Sequence, residues 1–395
     1  VKISRPATVA VAATVLIIVS PLAPATAKSG GHAGHGEQNT AHRAAASLTA
    51  METYLATDDG SGLYHEQFPQ EAGDNPYSYE WPFSQAHIAI ADLANLPGAI
   101  GRSYDDDLAV AAAAQEHYWD ADGGTTGLPG YASYPVGEYG EGGDYFYDDN
   151  LWVGLLDVQR YLTDGDDAAL DRAEQIWDLT VSGWDTDESH TNPGGVFWTQ
   201  APWSTDRNTV STMPAAQLGL RLHQITGEQE YLDWALRMYE WTNDHLQRPD
   251  GLYWDHMGLD GTLETTVWSY NQGVPIGVNT LLYEVTGDQR YLDEATRIAD
   301  AASVFYAFDG RLEAQPAFFN SIYFKNLLLL ESVTGGSSAR QAMKEYGDHV
   351  WTTQRDAGTG LFSFDGETTQ LLDQAAMVQI YAVLGWAPSQ YRHLY

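Results

Sequence analysis

Thr226-Gly-Glu-Gln-Glu-Tyr-Leu232 and Thr286-Gly-Asp-Gln-Arg-Tyr-Leu292 are near copies, 60 residues apart. In each, an apolar segment at helical spacing runs up to the threonine, and polar residues after the glycine start a new one. Glycine after a helix takes the left-handed conformation without a Cβ penalty, so each Thr-Gly reads as the turn of an αα-hairpin. Thr334-Gly335 and Thr163-Asp164-Gly165 punctuate the chain in the same way. Outward from these turns, apolar periodicity places helices at about 41–56, 82–95, 104–118, 149–162, 168–182, 210–225, 230–246, 269–285, 290–306, 318–333, 339–353 and 369–384. Twelve helices make six hairpins. Repeated hairpins stack into an open solenoid or close into a ring. No capped terminal repeat is evident, which favours closure. The expected fold is all-α, an (α/α)6 barrel formed by residues 41–395.

The residues before the first hairpin read differently. Lys2 and Arg5 precede an apolar run from Ala7 to Val19, and Ala25-Thr26-Ala27 matches a cleavage site. Residues 1–27 therefore read as an export signal and the location as extracellular, since the run is too short for a good membrane span. Residues 28–40, rich in glycine and histidine, read as a flexible linker. His32 and His35 there, with His42 just after, suit a solvated tail better than a weak metal site.

Acidic residues outnumber basic ones 54 to 19, for a formal charge of −35. Phosphate neutralisation needs clustered Lys and Arg, so nucleic acid, polyanionic sugars and, once the signal is cleaved, membranes are excluded as partners. A neutral polysaccharide or oligosaccharide fits, bound by a monomer. The chain has no cysteine, which rules out disulfides and thiolate metal sites. No metal motif and no cofactor motif is present. Thirteen Trp and 24 Tyr suit either a large core or a groove that stacks on sugar rings.

Tyr145-Phe-Tyr147-Asp148-Asp149-Asn150-Leu-Trp152 carries the strongest chemical signal. It joins a glycine-rich loop, 119–145, to a helix start. Glycoside hydrolysis needs two carboxyl groups flanking the scissile bond, about 5 Å apart for retaining chemistry. Neighbouring carboxyls push their titrations apart, as an acid and a nucleophile require. Against this stands the plain alternative of an N-cap followed by a first-turn acid. Pro193-Gly-Gly195-Val-Phe-Trp198, followed by Asp206-Arg207-Asn208, offers either a stacking indole on a tight turn or a core tryptophan. Trp268-Ser-Tyr270-Asn271-Gln272-Gly273 puts donors and acceptors for sugar hydroxyls at another helix start. Trp81 in Tyr79-Glu80-Trp81-Pro82 suits a groove lining or the core. Asp120-Ala-Asp122-Gly-Gly lacks the terminal Glu of a calcium loop and reads as a turn.

These motifs together resemble glycoside hydrolase family 76: Tyr147-Asp148-Asp149-Asn150-Leu-Trp152, Gly194-Gly195-Val-Phe-Trp198, Asn208 before a helix, and Trp268-Ser-Tyr270-Asn271-Gln272-Gly273. The resemblance covers about residues 45–385. It implies an (α/α)6 barrel and a retaining endo-α-1,6-mannanase acting on mannan. It also implies Asp148 as nucleophile and Asp149 as acid/base, with Tyr147, Trp152, Trp198, Asn208, Tyr270, Asn271 and Gln272 around the substrate, a set that Trp81 joins on its own position at a helix start. Three departures stand out. Thr212 occupies the place of the family's usual second Asn, residues 319–325 lack its Lys-Gly-x-Phe wording, and the loop before Asp148 is enlarged. Two other readings belong to different classes. One is an unsaturated-uronyl hydrolase or sugar epimerase on the same fold, although His190, His223, His245 and His256 form no convincing catalytic set. The other is a glycan-binding protein without activity.

Overall fold

The computed structural model describes residues 33–395, with side chains from Asn39 onward. The expected signal at 1–27, His32 and the side chain of His35 lie outside the described residues. Helix α1 spans Ala33–Tyr54. It therefore starts inside the stretch expected as a linker and runs through Thr40 and Ala41, both of which are buried.

The remaining helices are α2 (Glu80–Ala94), the four-residue α3 (Ala99–Arg102), α4 (Asp105–Gln115), α5 (Tyr147–Asp164), α6 (Asp167–Ser182), α7 (Thr209–Thr226), α8 (Gln229–Leu246), α9 (Tyr270–Thr286), α10 (Gln289–Tyr306), α11 (Ala317–Thr334), α12 (Ser338–Thr353) and α13 (Leu371–Leu384). Apart from α3, the twelve helices alternate between two layers. α13 buries 12 of its 14 residues, whereas α12 buries four of 16. A helix apolar all round belongs inside, and an amphipathic one covers it. The inner helices α2, α5, α7, α9, α11 and α13 each touch the next, and α13 touches α2. That contact closes the ring into the expected barrel.

The two ends of the barrel differ. At one end inner helices turn back over tight loops. Gly165, Gly227 and Gly287 adopt left-handed conformations there, with φ of 72°, 76° and 70°. Lys325 and Asp92 form an ion pair at 2.8 Å, both with fully buried side chains. Lys325 also reaches the Tyr395 hydroxyl, and Arg221 donates to the carbonyls of Arg392 and Leu394. The C-terminal residues thus form a floor to the barrel.

At the other end lie the long loops and the N-termini of all six inner helices. Short antiparallel pairings order these loops. β1 (Gln67–Phe68) pairs with β7 (Thr369–Gln370), β2 (Trp119–Asp120) with β3 (Gly130–Tyr131), and β4 (Asp206–Asn208) with β5 (His256–Gly258), which also pairs with β6 (Leu263–Glu264). The helix expected from 369 therefore starts at Leu371, because its first two residues belong to β7.

A recurring clamp ties loop to helix. The Asn150 side chain accepts from Tyr131 N at 2.7 Å and donates to Tyr131 O at 2.9 Å. Gln272 makes the same pair of bonds to Tyr253, at 2.7 and 3.0 Å. Gln374 accepts from Phe362 N, Thr212 Oγ1 accepts from Val196 N, and Asn320 donates to Leu312 O. Each of these side chains belongs to the first turn or so of an inner helix and satisfies loop backbone that would otherwise be buried unpaired.

Candidate active site

Asp148 and Asp149 occupy the first turn of α5, at the open end where inner-helix N-termini converge. Partial positive charge at those termini favours nearby carboxylates. Burial opposes it. Asp148 is 8% exposed, and loss of solvent pushes its carboxyl up to about 7. Trp198 counteracts this by donating its indole N–H to Asp148 Oδ2 at 3.1 Å. The other oxygen, Oδ1, is buried without a partner. Asp149 is less covered but lies in the field of two acids. Desolvation first, then the charges of Asp148 and Glu80, hold its carboxyl well above the ordinary range. The neighbours therefore differ: one carries a hydrogen bond that favours ionisation, and the other faces two acids that oppose it.

Glu80 opens α2 and is fully buried. Its Oε1 accepts from Gln115 at 2.9 Å, and its Oε2 has no partner. Burial, with a smaller contribution from Asp148, raises it well above the usual value. Asp255 faces the pair from the loop before α9 and adds to the rise at Asp148. It is held by Asn271 Nδ2 at 2.9 Å and by His256 Nδ1 at 2.9 Å. Sequence reasoning missed both acids. Glu80 lies in the first turn of its helix, as the Asp pair does on α5. Asp255 lies outside any helix and had no pattern to mark it.

Aromatic rings line the mouth. Tyr270 stacks on Phe319 with centroids 3.8 Å apart and planes at 10°. Trp81 lies roughly parallel to Phe319 at 6.1 Å, and Trp268 meets it edge-on at 5.4 Å. The charges of Asp255, Asp148 and Asp149 all act on the Tyr270 hydroxyl, which puts this wall beside the carboxylates. Trp198, 37% exposed, stands on the other side. Its loop is riveted from below. The fully buried Arg207 pairs with Asp185 at 2.6 Å and donates to the carbonyls of Thr191, Asn192 and Gly258. Gly195 has φ of 76°, and a Cβ there would meet the Trp241 ring at 2.5 Å. The glycine pair thus lets the turn lie flat on Trp241 and aim Trp198 at Asp148.

Asp148, Asp149, Trp198, Tyr270, Trp81 and Asn271 are brought together, Asn271 through its bond to Asp255. Asn208 holds the N-cap position of α7 at the same end without a side-chain capping bond, its Oδ1 buried and unpartnered. Three expected contacts are corrected. Tyr147 turns outward onto Gly183, where an added Cβ would lie 2.5 Å from its ring. Trp152 is 1% exposed and packs 6.4 Å from Tyr395 at the floor. Gln272 spends its amide on Tyr253 N, Tyr253 O and Trp268 O. In each case helix rotation or the loop clamp claims the side chain. Thr212, in place of an asparagine, serves as the clamp on Val196. Asp120 accepts from Asp122 N at 2.9 Å, as expected of a turn.

The model of the family described as Glycosyl hydrolase family 76 matches residues 39–339. A mannan endo-1,6-alpha-mannosidase from Candida glabrata is 30% identical over 142 residues, which is 34% of this chain and 31% of that protein. The match thus spans about a third of that relative's length. A solved family 76 mannosidase from Bacteroides thetaiotaomicron is 26% identical, with a TM-score of 0.76 over 88% of this chain and 98% of its own. An inactive variant of an α-1,6-mannanase from Salegentibacter, with two consecutive aspartates replaced by asparagine, is solved with α-1,6-mannotriose. It is 20% identical and shares the fold, with a TM-score of 0.69 over 88% and 99% of the two chains.

Proposed function

Since this chain belongs to glycosyl hydrolase family 76, we propose that it hydrolyses α-1,6-mannosidic linkages in mannan by a retaining double displacement. The observation that carries this reading is the unequal surroundings of the two carboxyls: Trp198 donates to Asp148, whereas Asp149 faces Asp148 and Glu80. Asp149, kept protonated by burial and then by its acidic neighbours, donates its proton to the glycosidic oxygen as the C–O bond breaks. Asp148 holds Oδ2 against Trp198 and attacks the anomeric carbon with its unpartnered Oδ1. An ester between Asp148 and mannose results. The loss of the Asp148 charge removes one cause of the high Asp149 pKa, so Asp149, having given up its proton, stays ionised. It takes a proton from water, the water oxygen attacks the anomeric carbon, and Asp148 departs as carboxylate. The Salegentibacter variant, inactive with two consecutive aspartates replaced and bound to mannotriose, supports both the residues and the substrate class.

The enzyme needs no cofactor for these steps. It is secreted, a reading that rests on the sequence of residues 1–27, and it acts as a monomer. Asp148→Asn should abolish cleavage of α-1,6-mannan. Asp149→Asn should still turn over an activated aryl mannoside, with azide trapping the ester as the α-mannosyl azide. Release of β-configured product, or full activity in either variant, overturns the mechanism.

A further inference from the structure

Trp203 stands on the rim beyond Trp198 and is 54% exposed. An indole left in water is usually loose or is covered by a partner. This one is fixed. Its N–H donates to Asp144 Oδ2 at 3.1 Å. Its ring meets Trp198 at 6.2 Å and 80°, and Phe146 at 6.1 Å and 55°. Its loop is stitched to the segment before α5. Gln200 N and Thr199 Oγ1 both donate to Tyr145 O, and Thr125 Oγ1 donates to Gln200 O. The polar edge of Trp203 is thus satisfied, and what remains free is apolar ring held in one orientation. The C–H face of a neutral sugar fits such a surface. No cation lies among these contacts to attract an acidic sugar.

The ring contacts Trp198 and not Asp148, so a sugar on it is not the one being cleaved. Resting on the mannan reading above, we propose that Trp203 is the stacking platform of an outer subsite that makes the enzyme favour long mannan chains over short ones. Rigidity carries the argument, because a preorganised platform costs little ordering when the chain binds.

The test compares kcat/KM on α-1,6-mannan with kcat/KM on α-1,6-mannotriose. In Trp203→Ala the ratio of polymer to trisaccharide should fall about three- to tenfold, as expected for one lost aromatic contact, mainly through KM. Trp203→Phe should restore most of the ratio and keeps the test open if the alanine variant folds poorly. Native gels containing mannan give a readout without turnover: adding Trp203→Ala to Asp148→Asn enzyme should reduce its retardation. An unchanged ratio, or an equal loss on both substrates, overturns the subsite while leaving the reaction intact. A wild-type enzyme that cleaves no mannan overturns the functional reading instead.

Discussion

Trp198→Phe keeps a ring at the mouth and deletes one N–H. That N–H reaches Asp148 Oδ2 at 3.1 Å, and the carboxylate is 8% exposed. A hydrogen bond to an ionised group contributes roughly 1.5–3 kcal/mol. Trp198 itself is 37% exposed, and solvent screening takes the loss to the lower end. At about 1.4 kcal/mol per pH unit, the Asp148 carboxyl should rise by about one unit. The sign follows from the causes. Burial raises the carboxyl to about 7 and the indole lowers it, so removing the indole N–H moves it further up. A nucleophile must be ionised, so the acid limb of kcat/KM shifts about one unit towards alkaline pH. Well below neutrality the variant is then about tenfold slower, and the two enzymes converge as the pH rises. The assay is release of reducing ends from α-1,6-mannan across the pH range, with circular dichroism to verify folding. A uniform loss with the acid limb unmoved would refute the idea that Trp198 acts on the charge of Asp148.

Asp148→Asn should also raise thermal stability, but only where Asp148 is ionised. Its folded carboxyl is raised to about 7 from 3.8, so the folded state binds the proton more tightly than the unfolded chain. Wild-type stability is therefore lost as pH rises from about 4 to about 7, and the gain from asparagine grows over that window to a ceiling of about 4 kcal/mol. Equal melting curves at pH 4 and pH 8 would contradict this. Arg207→Ala leaves Asp185 buried and stripped of its guanidinium. A destabilisation of about 3–5 kcal/mol is expected in denaturant melts, together with lower activity as the Trp198 turn loosens. Gln272→Leu orphans the Tyr253 N–H and C=O at about 1–3 kcal/mol each. The melting temperature should fall while KM for mannan changes little, and a raised KM at unchanged stability would return Gln272 to the substrate.

The helices were legible because their stops are chemical. Thr-Gly at 226–227 and 286–287 ends helices at left-handed glycines that only the backbone demands. Asp148, Asp149 and Trp198 stood out because two acids share one helix start and an indole follows a glycine pair, although a cap and a core tryptophan fitted the same patterns. Tyr147, Trp152 and Gln272 were misread because the residues opening an inner helix face three ways: to the mouth, to the floor and to the preceding loop. Composition does not distinguish these directions. Only the rotation of α5 sends Trp152 down to Tyr395, and only the depth of the Tyr253 loop claims Gln272. Glu80 escaped notice because its partners, Gln115 and the Asp pair, are distant in sequence and meet it only where α4 and α5 pack on α2.

The clamps at Asn150, Thr212, Gln272, Asn320 and Gln374 grip main-chain atoms. A grip on backbone is indifferent to which side chains the loop carries. The rim of this barrel can therefore diverge in sequence while its loops stay anchored at the same points. Natural variation in chain-length or branch preference should accumulate in residues such as Trp203, between anchors, and leave the ring of inner helices alone.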